Sequence, residues 1–213
     1  MVTARSRHPI FARVYVRVSS AMERQGGADH RDRLLAGLSG HVIEVGAGNG
    51  LNFAHYRPEV TAVLAVEPEP YLRQAARHGA ALSPVPVEMV DGTADRLPAG
   101  DGTFDGVVAS LVLCSVPDQA SALREMRRVL RVGGELRFFE HVRASTPGLR
   151  RAQRVVDATV WPHLFGGCHS GRDTIAAIES SGFEIERLDR FRFPDSGPPM
   201  PTSPHVLGIA VKR

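Results

Sequence analysis

The sequence predicts an α/β fold in which a mostly parallel sheet lies between helices and ends on an antiparallel strand. Three observations predict it. Short β-branched runs alternate with segments of helical spacing along most of the chain, the arrangement that builds parallel sheets through right-handed crossovers. The first such run, Val42 to Val45, feeds the turn Gly46-Ala47-Gly48-Asn49-Gly50, a glycine at every second position. The last two runs are joined by a proline-rich loop, Pro194 to Pro204, a connection short enough for an antiparallel pair. A length of 213 residues suits one domain, taken as 1–213.

The elements follow in order. Ile10, Phe11, Val14, Tyr15, Val18 and Met22 keep helical spacing up to Gly26-Gly27, which defines a leading helix within 1–27. Beyond the glycine turn, Leu51 to Tyr56 is expected to open a helix, and Val60 to Val66 reads as the second strand. Tyr71 to His78 reads as a helix. In the strand expected over Val85 to Val90, Pro86 lacks a ladder donor, which places the strand at a sheet edge. Phe104 to Leu113 is apolar enough for burial on both faces. Pro117 to Arg131 is expected to be helical and to stop at Gly133-Gly134, with a strand from Glu135 to Glu140. A second amphipathic stretch, Leu149 to His163, lies inside an insertion over 142–169 that precedes the sixth strand and can shape a pocket. Ser170-Gly171-Arg172-Asp173 resembles a capping box for a helix to Ser181. Strands Phe183 to Phe191 and His205 to Lys212 complete the pattern.

Composition excludes several classes. The 26 Lys and Arg against 23 Asp and Glu leave a formal charge of only +3, too weak and too scattered for a nucleic-acid or membrane field. The clusters Arg127/Arg128/Arg131 and Arg150/Arg151/Arg154 read as solvated helix faces. Two cysteines form no disulfide framework, and no His/Cys group has zinc-ligand spacing, so no metal is expected and a reduced, cytoplasmic protein fits. Nowhere do about 18 apolar residues run together, and Arg13 and Arg17 interrupt the apolar positions a signal peptide would need, so no membrane span is expected.

The glycine turn has a particular chemistry. Its form is acid-x-G-x-G-x-G, with Glu44 two places before the first glycine; the dinucleotide pattern G-x-G-x-x-G would need glycine where Leu51 stands. Glycines allow close approach of backbone to a ligand, and a carboxylate beside them suits positive charge better than a pyrophosphate. In an open parallel sheet ligands gather at the carboxyl ends of the strands, where Glu44, Glu67 and His141 all fall.

Taken with Glu67 after the second strand, the Gly92-Thr93-Ala94-Asp95-Arg96-Leu97-Pro98 segment, Phe104-Asp105 and Leu130-Arg131-Val132-Gly133-Gly134, this motif resembles the class I S-adenosylmethionine (SAM)-dependent methyltransferases over nearly the whole chain, and the ubiquinone-biosynthesis C-methyltransferases in its first half. The resemblance implies a three-layer Rossmann-like sheet of seven strands with the last antiparallel. It implies SAM as cofactor, with Glu44, Gly46, Gly48 and Gly50 at its methionyl part, Glu67 at the ribose hydroxyls and Thr93-Ala94 at the adenine. Thr93 stands where many relatives have Asp. Ala47, Asn52, Pro68, Ser110 and Leu111 flank these positions and join the implied cofactor set. Four further segments, Ser110 to Val116, Glu140-His141-Val142, Gly167-Cys168 and Pro204 to Lys212, resemble the mammalian alkyl-thiol methyltransferases of the methyltransferase-like group, which implies a small thiol acceptor.

Methyl transfer from a sulfonium is an in-line displacement, so alignment and exclusion of water matter most. A thiol acceptor is partly ionised near neutral pH, whereas a hydroxyl needs a base. His141, at the end of the fifth strand, is the catalytic candidate as base or orienting group. Tyr15, Cys114, His163, Cys168, His169 and His205 are the candidates for the substrate pocket. Methylation of oxygen, nitrogen or carbon in a secondary metabolite is the alternative chemistry, and a non-catalytic SAM-binding protein the alternative of another class.

Overall fold

The computed structural model describes residues 9–159 and 161–213. Seven strands form one sheet in the order β3-β2-β1-β4-β5-β7-β6, with β1 Gly40–Val45, β2 Val60–Val66, β3 Val87–Val90, β4 Phe104–Ser110, β5 Leu130–His141, β6 Phe183–Arg192 and β7 Pro204–Lys212. The pairs among β1 to β5 are parallel, and β7 is antiparallel to both β5 and β6, as expected. The chain order reverses between β1 and β4, so the loops leaving these two strands diverge and open a crevice at their carboxyl ends. Because β7 runs the other way, its first residues reach the same edge, and His205 pairs in register with His141.

Helices cover both faces: α1 Pro9–Met22, α2 Ala28–Leu35, α3 Pro70–Leu82, α4 Gln119–Val129, α5 Pro147–Asp157, α6 Trp161–Leu164 and α7 Thr174–Ser180. Strand β4 alternates between two cores. Val107 and Ala109 meet Leu123 and Met126 of α4 and Ile178 of α7, while Val108 meets the cluster with Leu34 and Leu35 of α2 and Ala76 of α3. Leu123 and Met126 are fully buried, each contributing about 1.5–3 kcal/mol of hydrophobic stabilisation.

Three local expectations are corrected and one helix is added. Leu51 to Tyr56 is a turn with one 3-10 turn, Phe53–His55, because Tyr56 is already extended and its hydroxyl is held by Glu44. The helix α4 ends at Val129, before the glycine pair. Leu130 is extended and pairs with Phe104, so Gly133, at φ 77°, sits inside β5 beside a register shift instead of capping a helix. The cap of α7 is Asp173, whose carboxylate accepts from Ala176 N; the Ser170 hydroxyl is taken by Asp157 at 3.0 Å. The helix α2 was not read from the sequence at all, since only Leu34 and Leu35 mark its buried side among five charged or polar neighbours. The strand over Val85 to Val90 does take the edge position, shortened to Val87–Val90, and the residues before Pro9 lie outside the described ones.

Candidate functional site

The glycine turn leaves β1 with Gly46 at φ 67° and Gly48 at φ 58°, conformations that side-chain-bearing residues rarely adopt. A Cβ on Gly46 would lie 2.6 Å from Val112, and one on Gly48 would lie 3.2 Å from the Tyr15 ring, so packing also demands glycine. Glu67, 5 % exposed, accepts Gly48 N at 2.9 Å and Glu69 N at 2.8 Å, tying the turn to the end of β2. Burial raises its pKa against those two hydrogen bonds.

Glu44 is 2 % exposed and accepts Tyr56 Oη at 2.7 Å and Asn52 Nδ2 at 2.9 Å. Burial pushes its carboxyl up to about 7 despite both bonds and the Arg31 guanidinium. Arg31 of α2 donates to Asn52 Oδ1 at 2.6 Å and to Glu23 at 2.8 Å. The result is a carboxyl poised to ionise when a cation arrives. Tyr15, Arg31, Glu44, Gly46, Asn52 and Ser110 surround a cavity of about 10 Å³. That is room for about one water, against the ~300 Å³ or more of ordinary ligand sites. The leading helix therefore closes the crevice here.

The other candidates for the cofactor are spread around this centre. Ala47 is buried, while Pro68 and Thr93 are exposed and Ala94 is half-buried in a turn bridged from Thr93 to Arg96. Ser110 Oγ lies 3.5 Å from Arg31 Nη1. Leu111 has φ 59°, strained backbone for a branched side chain, and sits where β4 turns out of the sheet.

A second group forms next to this turn. Cys114 and Cys168, 1 % and 6 % exposed, bring their sulfurs to 3.7 Å, and Cys168 Sγ lies 3.5 Å from His141 Nδ1. His205, 2 % exposed, sets its ring 4.4 Å from that of His141. Glu140, fully buried, accepts Val112 N and Leu113 N at 2.8 Å and Cys114 N at 3.1 Å, which fixes the loop carrying Cys114. Burial, then Cys114, hold the Glu140 carboxyl well above its usual range. The contact between the two sulfurs, followed by burial, raises the Cys114 thiol strongly; the same contact, against burial and with help from Trp161, lowers that of Cys168. Burial pulls the His141 pKa down, but Cys114, Glu140 and Asp157 outweigh it and the net shift is upward. His205 is held well below its usual value by burial and then by His141.

His169 borders the group through its backbone, donating N–H to Cys114 O at 2.8 Å, while its ring stays with Gly167 O and Arg172. His163 is exposed on α6. Tyr15 links the two groups: burial raises its pKa, Arg31 opposes, and Glu67, Cys114 and Glu44 all add to it. The sequence reading missed Arg31, Tyr56 and Glu140. Arg31 belongs to the unread helix, and Tyr56 was assigned to a helix; Glu140 was signalled only by its place before His141. It also missed that Cys114, His141 and Cys168 form a metal-competent triad, because His141 and Cys114 are 27 and 54 residues from Cys168 along the chain. The Arg150, Arg151 and Arg154 side chains are exposed, as read, and with Arg143 they line an open cleft of about 670 Å³ on the far side of Asp157.

Comparison with known proteins agrees with this geometry. Residues 43–138 match a family model described as a methyltransferase domain. The human thiol S-methyltransferase TMT1B is 34 % identical over 187 residues, covering 84 % of this chain and 74 % of that protein, and the mouse TMT1B is 38 % identical over 188 residues with the same coverage. A crystal structure of a SAM-dependent methyltransferase from Thermotoga maritima superposes with a TM-score of 0.70 at 23 % identity, over 96 % of this chain and 99 % of that one. No helix among the described residues is long and apolar enough to cross a membrane. An acid-flanked glycine turn, a reversing seven-stranded sheet and relatives at this identity together place the chain in the family of SAM-dependent methyltransferases, with S-adenosylmethionine as its cofactor.

Proposed function

We propose that this methyltransferase transfers the methyl group of SAM to the sulfur of a small thiol. The observation that carries the reading is the histidine-and-sulfur group, with His141 Nδ1 3.5 Å from Cys168 Sγ, whose Cys114 shares a loop with Val112, the residue packed against Gly46 of the cofactor turn. The relatives named as thiol S-methyltransferases support the same acceptor. In this reading Glu44 meets the SAM ammonium, Gly46, Ala47, Gly48 and Gly50 give the backbone room, and Asn52 holds Glu44 in place. Glu67 and Pro68 border the ribose, Thr93 and Ala94 the adenine, and Ser110 and Leu111 the reacting end. Tyr15 withdraws with α1 to admit the cofactor and returns to exclude water.

A thiol with ordinary pKa near 8.5 is about one-tenth ionised at pH 7.5, so alignment beside the sulfonium suffices without a strong base. The acceptor proton leaves to solvent. A sulfur lone pair then attacks the methyl carbon while the bond from that carbon to the sulfonium sulfur breaks, giving a thioether and S-adenosylhomocysteine. His141, whose charged form its neighbours favour, orients the acceptor thiolate, and Cys114, Cys168, His169 and His205 wall the pocket. His163 has the weakest place in this reading because it is exposed. A reducing, cytoplasmic setting belongs to the same proposal, since two thiols at 3.7 Å would be liable to oxidation elsewhere.

The test is turnover of SAM against matched small thiols, alcohols and amines, with mass spectrometry locating the methyl group. Methylation on sulfur is expected, with a rate that rises through the thiol titration. His141→Ala should lower turnover roughly tenfold to hundredfold, the worth of a charge-assisted hydrogen bond, yet preserve that rise. Methylated alcohols or amines beside untouched thiols would reject the acceptor.

A further inference from the structure

The geometry of the histidine-and-sulfur pocket points to more than a wall. We propose that Cys114 Sγ, Cys168 Sγ and His141 Nδ1 bind one zinc ion and leave its fourth position open to the acceptor thiolate.

Two of the three separations match those a tetrahedral ion imposes. Zn–S bonds of about 2.3 Å and Zn–N bonds of about 2.0–2.1 Å at tetrahedral angles put two sulfurs ~3.8 Å apart and sulfur and nitrogen ~3.6 Å apart. The observed separations are 3.7 Å and 3.5 Å. All three ligand atoms lie within 4.8 Å of one another, and among the described residues no fourth His, Cys, Asp or Glu joins them. Two thiolates and one imidazole suit zinc, and three protein ligands with a vacant fourth position mark a site that takes substrate, whereas a structural site is closed by four.

The ligands come from three elements that the backbone locks together. Glu140 holds the Cys114 amide, His169 N donates to Cys114 O at 2.8 Å, and Gly167 N donates to Pro162 O at 2.7 Å. Gly167, at φ 87°, lets the loop carrying Cys168 pass so close that a Cβ there would lie 2.7 Å from Ser115 O. One buried polar atom beside the group, His205 Nε2, has no hydrogen-bond partner among the described residues. Trp161 acts on Cys168, and an indole N–H is suited to a metal-bound thiolate; the His205 ring packs against the ligand His141.

The role of the fourth position rests on the thiol S-methylation proposed above, whereas binding of the ion does not. On entry the acceptor thiol gives its proton to solvent and its sulfur joins the ion. One of that sulfur's lone pairs then attacks the methyl carbon of SAM, the bond to the sulfonium breaks, and the neutral thioether leaves the ion. With zinc bound, the ion takes over from His141 as the group that stabilises the thiolate.

The experiment uses the full chain, reduced and free of any polyhistidine tag, equilibrated with Zn2+ or Co2+ and separated from free ion. One zinc per chain is expected. Cobalt should give a tetrahedral visible spectrum with sulfur-to-cobalt charge-transfer bands in the near ultraviolet, stronger after addition of ethanethiol. Cys168→Ser and His141→Ala should each weaken ion retention at least tenfold, and His78→Ala, an exposed histidine on α3, should not. Circular dichroism checks that the variants fold, and the wild-type cobalt spectrum stands without them. A chain that retains no ion, a six-coordinate cobalt spectrum, or folded variants that bind as well as wild type would overturn the site. A cobalt spectrum indifferent to ethanethiol would overturn the open position. Sulfur methylation by ion-free protein that takes up no zinc removes the site and keeps the proposed function; bound zinc without sulfur methylation does the reverse.

Discussion

The two halves of the crevice are built differently. On the cofactor side each buried acid has partners within 19 residues in sequence: Glu44 is met by Asn52 and Tyr56, and Glu67 by Gly48 and Glu69. On the acceptor side the groups arrive from the end of β4, β5, the α6 loop and β7, and the buried His205 Nε2 has no partner among the described residues. The first half is a satisfied and closed network that must open for its ligand. The second is a preassembled set of soft ligands and unspent hydrogen-bonding capacity. Binding of donor and preparation of acceptor should therefore be separable by substitution, despite the contact of Val112 with the turn and the place of Tyr15 between the two halves.

The strongest way to break this comparison is Gly48→Val. At φ 58°, with the Tyr15 ring 3.2 Å from the new Cβ, a β-branched side chain strains the turn and fills the ligand's approach. SAM affinity should fall by roughly 100-fold or more, while the reactivity of the two thiols towards a chromogenic disulfide reagent stays unchanged. Equal loss on both sides would show that the halves are one unit. Glu67→Ala is expected to be milder. It removes the acceptors proposed for the ribose hydroxyls and frees two backbone amides, worth about 1–3 kcal/mol, or roughly 5- to 150-fold in affinity by calorimetry.

The same division explains what could be read from the sequence. The cofactor half is written locally: Glu44, the alternating glycines and the strand before them occupy consecutive positions, so spacing alone conveys the geometry. Its missing pieces, Arg31 and Tyr56, lie on elements whose shape is set by tertiary contacts and not by their own periodicity. For the acceptor half, residue types named the candidates, but the convergence of Cys114, His141 and Cys168 depends on β4 and β5 lying side by side in the sheet and on the loop after α6 docking against Cys114. That information is in the topology. The stop of α4 before Gly133 shows the same override, since pairing of Leu130 with Phe104 outweighs the glycine signal.

Tyr15→Ala sharpens the claim that the cofactor half must open. Removing the ring that covers Gly48 should raise the association rate of SAM about tenfold by stopped-flow fluorescence while the equilibrium affinity changes less, because opening α1 precedes entry. A slower association would mean that the ring guides the ligand and does not gate it.

The smallest expected effect tests whether Glu44 is held in waiting. Its folded pKa of about 7 exceeds the ordinary 4.5, so between those values the unfolded chain has lost a proton that the folded chain keeps. Stability from this group is therefore greatest below pH 4.5 and declines as pH rises to about 7, beyond which the penalty is constant. A cationic ligand favours the ionised carboxylate, which reverses the preference: binding should release close to one proton at pH 6 and few above pH 8. Because about one-tenth of Glu44 is ionised at pH 6 and about half at pH 7, SAM affinity should rise about fivefold across that unit. Glu67, whose pKa burial also raises, contributes with the same sign. Glu44→Gln should flatten most of the rise and abolish the released proton, measured by calorimetry in two buffers of different ionisation enthalpy. Should the proton release persist unchanged in Glu44→Gln, the titrating group would be Glu67, and the poise would belong to the ribose end of the crevice.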